Sequence, residues 1–454
     1  MLMADVVAKF VKKAPVGVMA RASLEYALEP AALDELFHRH AESQYERKLL
    51  FSTMVDLMAL VVCGTHASVR AAYRAMREQV PVSLTALYDK LNGVEVGTSE
   101  ALVKYSASRL RPVIEALGTA ERWLDGYRVR VLDGNHLAAT ERRLEVLRGC
   151  AAGPLPGLAL VVFEPEVGLV VQIVGCEDGH TQERALLTPV IASAEPQDVY
   201  IADRNFCTLG FLFGLAQQAS YFVVRQHANL PIESCDTLRR CGKIETGEVF
   251  EQAITLRMGN NKLRARRIMI RLDTPTRDGD TEIAIITNLP LRVKACKVAD
   301  LYRRRWSIET LFAHVERNLQ SEISALGYPP AALFGFAVAL AAANVFAVVR
   351  AAMETAKQKD KTAADMPLSN FAIVEAARSV QGGMDVVLDD EVWTPFHNTT
   401  PQVFAKQLCR WASHVDWRRF RKAVHGPKKP TSKRSRFKNT PHVSTARLLA
   451  DEVQ

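Results

Sequence analysis

Five short runs of β-branched residues between Tyr127 and Gln226 constrain this chain more than any other feature. YRVRVLD (127–133) alternates apolar and polar residues and reads as a strand ending at Asp133. GLALVVF (157–163) and GLVVQIVG (168–175) read as two strands around the turn EPEVG. DVYIAD (198–203) reads as a short buried strand ending at Asp203, and YFVVRQ (221–226) as a fifth. Helical stretches over 181–194 and 206–218 separate the last three. This order predicts an α/β fold, a mixed sheet flanked by helices. It sets Asp133 and Asp203 at C-terminal strand ends, where sites in α/β sheets open.

The flanks follow other patterns. Residues 1–125 read as helices, with Leu49–Val62 strongly apolar and Ser68–Glu78 at helical spacing. Ser83 and Ser99 each precede a helical run and are expected N-caps. Over 227–290 the alternation breaks into EVFEQAITLRM, ARRIMIRLD and EIAIITNL, separated by Gly, Asn and Asp turns, which predicts a β-rich insertion. A long helix is expected from about Val298 to Leu319, then an apolar helix near 330–355, a polar linker (357–365) and further helices. The expected division is 1–125, 126–350 and 351–454.

On a wheel of 100° per residue, Tyr302, Arg305, Glu309 and Glu316 fall within about 60° of one another. Leu301, Ile308, Leu311, Phe312, Val315 and Leu319 form a contiguous apolar stripe beside them. Glu309 therefore borders the buried face, and Arg305, four residues earlier, is close enough to pair with it or to hold an anion. Each acid also has a plain structural reading. Asp133 precedes a glycine and suits a turn, Asp203 suits a helix cap, and Glu309 suits an ion-paired surface helix.

Composition excludes several classes. Hydrophobic residues make up 48% of the 454, enough for real cores. No Gly-rich phosphate loop is present, so a nucleotide-driven motor is unsupported. The eight cysteines are scattered without zinc spacing, which fits reduced thiols in a cytoplasmic protein. Residues 1–20 lack the apolar core of a signal peptide. Leu333–Val349 is apolar enough to mimic a membrane span but carries Asn344 and follows Pro329-Pro330, so a buried helix is expected and no membrane partner. The net charge is +8, yet Arg418 to Lys438 alone holds ten Lys/Arg and no acid, leaving the rest at −2. The basicity is local, either an anion-binding tail or a solvated end.

Three blocks resemble the DDE transposases of bacterial insertion sequences, specifically the insertion sequence 4 family: VLDGNHLAATERRL (131–144), VYIADRNFCTLGFL (199–212) and LYRRRWSIETLFAHVERNL (301–319). Tyr302, Arg305 and Glu309 match the family pattern Y-x2-R-x3-E-x6-K, whereas Glu316 stands where the family has Lys. The resemblance implies a ribonuclease-H-like fold and a catalytic triad of Asp133, Asp203 and Glu309. It implies two Mg²⁺ ions, replaceable by Mn²⁺, held by those acids, with Tyr302 and Arg305 on DNA phosphates. It further implies double-stranded DNA partners (inverted-repeat ends and target), a homodimer in the synaptic complex, and a cytoplasmic, nucleoid-associated site of action in a bacterium. The N-terminal helices then serve as an end-binding region or as packing. Arg418, Arg419, Arg421 and Lys422 become DNA contacts. The departure at Glu316 puts one end contact in doubt and keeps open a catalytically inactive or repurposed DNA-binding protein, and a nuclease of the same fold that cuts without joining remains a rival.

Overall fold

The computed structural model describes residues 2–44, 47–137, 144–148, 152–276, 279–360, 363–423 and 441–453. Twelve strands are present among them: β1 Arg128–Leu137, β2 Gly153–Leu155, β3 Gly157–Glu164, β4 Leu169–Cys176, β5 Asp198–Ala202, β6 Tyr221–Arg225, β7 Ser234–Cys235, β8 Arg239–Ile244, β9 Gly247–Met258, β10 Asn261–Leu272, β11 Glu282–Thr287 and β12 His442–Ser444. Ten form one mixed sheet in the order β4-β3-β1-β5-β6-β11-β10-β9-β7, with β8 also on β9. Within it β1, β5 and β6 run parallel, and β3 is antiparallel to both β1 and β4. β2 and β12 pair separately.

Side-chain period two sorts the sheet into two faces. Val129, Val131, Val199, Ile201 and Val223 enter a large core shared with the N-terminal helices and the helices after residue 295. Leu132, Tyr200, Ala202, Phe222 and Val224 enter a smaller core under the helices Leu187–Ala192 and Leu209–Gln217. By the same alternation Asp133 and Asp203 lie on the side of the large core.

Helices alone occupy Leu2–Leu117 among the described residues. They pack around the 29-residue helix Pro329–Lys357, whose most apolar window is 89% buried, as expected of a core helix. Asn344, wholly buried in that helix, accepts from Val170 N and donates to Val170 O and Ser106 Oγ, so its polarity is satisfied. The large core runs unbroken from Val11 to Phe420, across the boundaries drawn at 125 and 350.

The stretch after residue 227 is β-rich and extends the main sheet, since β11 pairs with β6 (Ile285 with Arg225, Thr287 with Val223). Three expectations need correcting. β1 does not stop at Asp133; it continues to Leu137 because β3 pairs with it to the end. Ser83 does cap its helix, accepting from Ala86 N, but Ser99 lies buried inside the helix Val96–Leu117. The helix expected over 298–319 is two, Ala295–Arg303 and Ser307–Asn318, joined by a 3₁₀ turn at Arg304–Trp306. A tighter turn advances about 120° per residue, so a single wheel misplaces residues across it.

Candidate active site

Asp133 sits on β1 just beyond the last parallel pair with β5, Val131–Ile201. Asp203 follows the last residue of β5 and caps the 3₁₀ turn Arg204–Phe206, its Oδ1 accepting from Asn205 N at 2.8 Å. The two aspartates therefore leave the ends of adjacent parallel pairing on one face. Glu309 comes from the first turn of Ser307–Asn318, whose Ile308 and Val315 are buried in the large core and whose Leu311 and Phe312 pack against it. The expected apolar stripe is thus the docking face.

Arg305 joins the helix to the sheet. Its Nη1 donates to Asp133 Oδ2 at 3.0 Å and its Nη2 to Glu309 Oε1 at 2.9 Å, with the Arg305 side chain only 12% exposed. Burial alone would lower the Arg305 pKa, yet it is raised, because Tyr302, Asp133, Glu309 and Asp203 all surround it with negative or potentially negative groups. Burial drives the Asp133 carboxyl up to about 6; Arg305 and the Gly134 N–H oppose the rise, and Asp203 and Glu183 add to it. The Tyr302 hydroxyl is likewise pushed up by burial.

Asp133, Asp203 and Glu309 all act on the Arg305 guanidinium, and by donor chemistry such carboxylates are the residues here that could hold a cation. Hard oxygen ligands suit Mg²⁺ or Mn²⁺. Among the described residues no three acidic, His or Cys side chains stand arranged on a single ion. The physical reason is that Arg305 already occupies Asp133 and Glu309 while Asp203 turns to Asn205. The donor set fits a divalent cation, provided Arg305 gives way to it.

Other expected residues are not drawn in. Arg418, Arg419, Arg421 and Lys422 are exposed around the 3₁₀ turn Trp417–Phe420, which docks on the chain before the helix Asn370–Val387 through Ser369 N to Phe420 O and Lys422 N to Pro367 O. No hydrogen bond or ion pair described for them reaches the three acids. The rest of the basic tail, from 424, and positions 138–143 of the first-aspartate block lie outside the described residues. Glu316 is exposed on its helix. Sequence reasoning missed Glu183, whose carboxylate accepts from Asn205 Nδ2 and lies against Gly134.

Residues 125–344 match the family model of the transposase DDE domain. That segment spans β1 to the middle of the core helix and includes all three acids. y4zB of Sinorhizobium fredii (strain NBRC 101917 / NGR234), a protein named as a transposase, is 32% identical over 126 residues, covering 27% of this chain and 34% of its own length. A Geobacillus stearothermophilus protein named as the transposase of insertion sequence element IS5377 is 27% identical over 166 residues, covering 35% of this chain and 40% of its own. The chain thus spans well under half the length of these relatives. Among solved structures, a piggyBac transposase synaptic complex with hairpin DNA is 9% identical over 92% of this chain and 88% of that one, with a TM-score of 0.37, too low to bear on fold or function.

Proposed function

We propose that this chain is a DNA transposase of the insertion sequence 4 type, built on a ribonuclease-H-like sheet and acting at transposon ends in the bacterial cytoplasm. The observation that carries the reading is the meeting of Asp133, from the sheet, and Glu309, from the helix, on the guanidinium of Arg305, with Asp203 at the end of the neighbouring parallel strand. The strand order β4-β3-β1-β5-β6, with β1, β5 and β6 parallel, supports the ribonuclease-H-like reading.

Asp133, Asp203 and Glu309 would hold two divalent ions, Mg²⁺ or Mn²⁺. When bound, such ions supply a water activated near neutral pH and charge stabilisation for the leaving 3′-oxygen. The protein's own part is orientation. The Gly134 and Asn205 backbone N–H groups each fix one carboxylate oxygen of an aspartate. Arg305, once released from Asp133 and Glu309, would hold a DNA phosphate beside the reacting one, with the Tyr302 hydroxyl next to it. Arg418, Arg419, Arg421 and Lys422 add sequence-independent phosphate contacts. Two ends must be brought together, so a homodimer is the working unit.

The test is to incubate the full chain and Mg²⁺ with linear DNA carrying the inverted repeats that flank its gene. Cleavage at the repeat boundary followed by joining of the 3′ ends to target DNA is expected. Cleavage without joining would identify a nuclease, and binding without cleavage a repurposed DNA-binding protein.

A further inference from the structure

Beyond Val131 and Ile201 no backbone pairing sets the distance between β1 and β5, yet Asp133 and Asp203 lie past that point. One side chain spans the gap. Glu183, in the 3₁₀ turn Glu183–Leu186, brings its carboxylate against the α-carbon of Gly134, so that a Cβ there would overlap it. Its other oxygen accepts from the Asn205 side chain at 2.5 Å. Gly134 N donates to Asp133 Oδ1 at 3.0 Å, and Asn205 N donates to Asp203 Oδ1 at 2.8 Å. Glu183 therefore touches the two residues whose backbone holds the two aspartates.

We infer that Glu183 is a positioning residue of the site: it fills the space that Gly134 leaves open and, through Asn205, fixes the Asp203 carboxylate relative to Asp133. This rests on the reading of Asp133, Asp203 and Glu309 as a cation-holding set. Groups that orient a ligand from behind typically change metal affinity by about 10–100-fold when removed. Glycine at 134 follows from the same arrangement, since any side chain there would push the Glu183 carboxylate off Asn205.

The test uses the full chain and Mn²⁺ alone, with free Mn²⁺ read by electron paramagnetic resonance during titration and melting followed in metal-free buffer. Glu183→Ala is expected to weaken Mn²⁺ binding about 10–100-fold. Glu183→Gln keeps an acceptor for Asn205 and is expected to stay within about threefold of the unaltered protein, because positioning needs the hydrogen bond and not the charge. Unchanged affinity in Glu183→Ala overturns the inference, and so does an equal loss in both variants, which would make Glu183 a direct ligand or a charge effect. Should Glu183→Ala melt early, Asn205→Ala decides: an equivalent loss of affinity supports the relay, and unchanged affinity overturns it. Asp203→Asn separates the two levels. If it leaves Mn²⁺ binding intact, the cation-site reading itself fails; if it weakens binding while Glu183→Ala does not, only the role of Glu183 fails.

Discussion

Arg305 ties two acids from distant parts of the chain, and removing it takes from both the cation they share. Arg305→Ala leaves Asp133, 19% exposed at its side chain, without its cation. Denaturation in metal-free buffer should show a loss of about 1–3 kcal/mol, the usual cost of a buried polar group stripped of its partner. Mg²⁺ should recover much of it by taking the place of the guanidinium; a loss indifferent to Mg²⁺ would count against a cation site. A second residue carries a pH signature. Burial first, and Arg350 second, lower the His314 pKa from 6.5 to about 4. Between those values the unfolded chain binds the proton at His314 and the folded chain does not, so the His314 contribution to stability falls as pH drops from 6.5 toward 4, by up to about tenfold in the folding constant per pH unit, against the opposite contribution of the raised Asp133 carboxyl. His314→Asn should flatten that slope in urea titrations at pH 5 and 7, and an unaltered slope would show that His314 is not its source.

At the scale of elements, the long apolar helix is fixed to the sheet by a polar clamp. Asn344→Ala strips hydrogen bonds from Val170 N, Val170 O and Ser106 Oγ at once. It should cost about 2–4 kcal/mol, since unpaired buried groups each carry a penalty of about 1–3 kcal/mol; a change under about 0.5 kcal/mol by urea unfolding would contradict the clamp. Elements also divide what could be read in advance. Five of the six described strands between 127 and 226 were legible because each is a local run with a local period, and the apolar stripe of Ser307–Asn318 for the same reason; the three-residue β2, which pairs with the distant β12, was not. The 3₁₀ turn at Arg304–Trp306 was not, because three residues compatible with a helix carry no break signal. Nor was the reach of β1 past Asp133, which depends on β3 from 20 or more residues away. Glu183 was invisible for a related reason: its place against Gly134 and Asn205 arises only when separate turns meet.

At the scale of the whole molecule, Arg418, Arg419, Arg421 and Lys422 form an exposed basic group. If Arg418, Arg419, Arg421 and Lys422 bind phosphates, replacing all four by Gln should lower the slope of log affinity against log salt by about 0.9 for each phosphate no longer neutralised. Cleavage of DNA already bound should be unaffected, because no hydrogen bond or ion pair described for these side chains reaches the triad; an unchanged salt slope would make this segment an ordinary solvated surface. The large core from Val11 to Phe420 joins the N-terminal helices, one face of the sheet and the C-terminal helices, so unfolding followed by probes in those three parts should coincide. The central claim, that three acids from β1, the end of β5 and the helix Ser307–Asn318 form one phosphodiester-cleaving site, is tested most directly by single-turnover cleavage of repeat-bearing DNA in Mg²⁺, with Asp133→Asn, Asp203→Asn and Glu309→Gln measured beside the unaltered chain. Each variant should still bind the DNA and should cut it at least about a thousandfold more slowly, the order expected when a group supplying several kcal/mol at the transition state is lost. Normal cleavage by any one of the three would contradict the account.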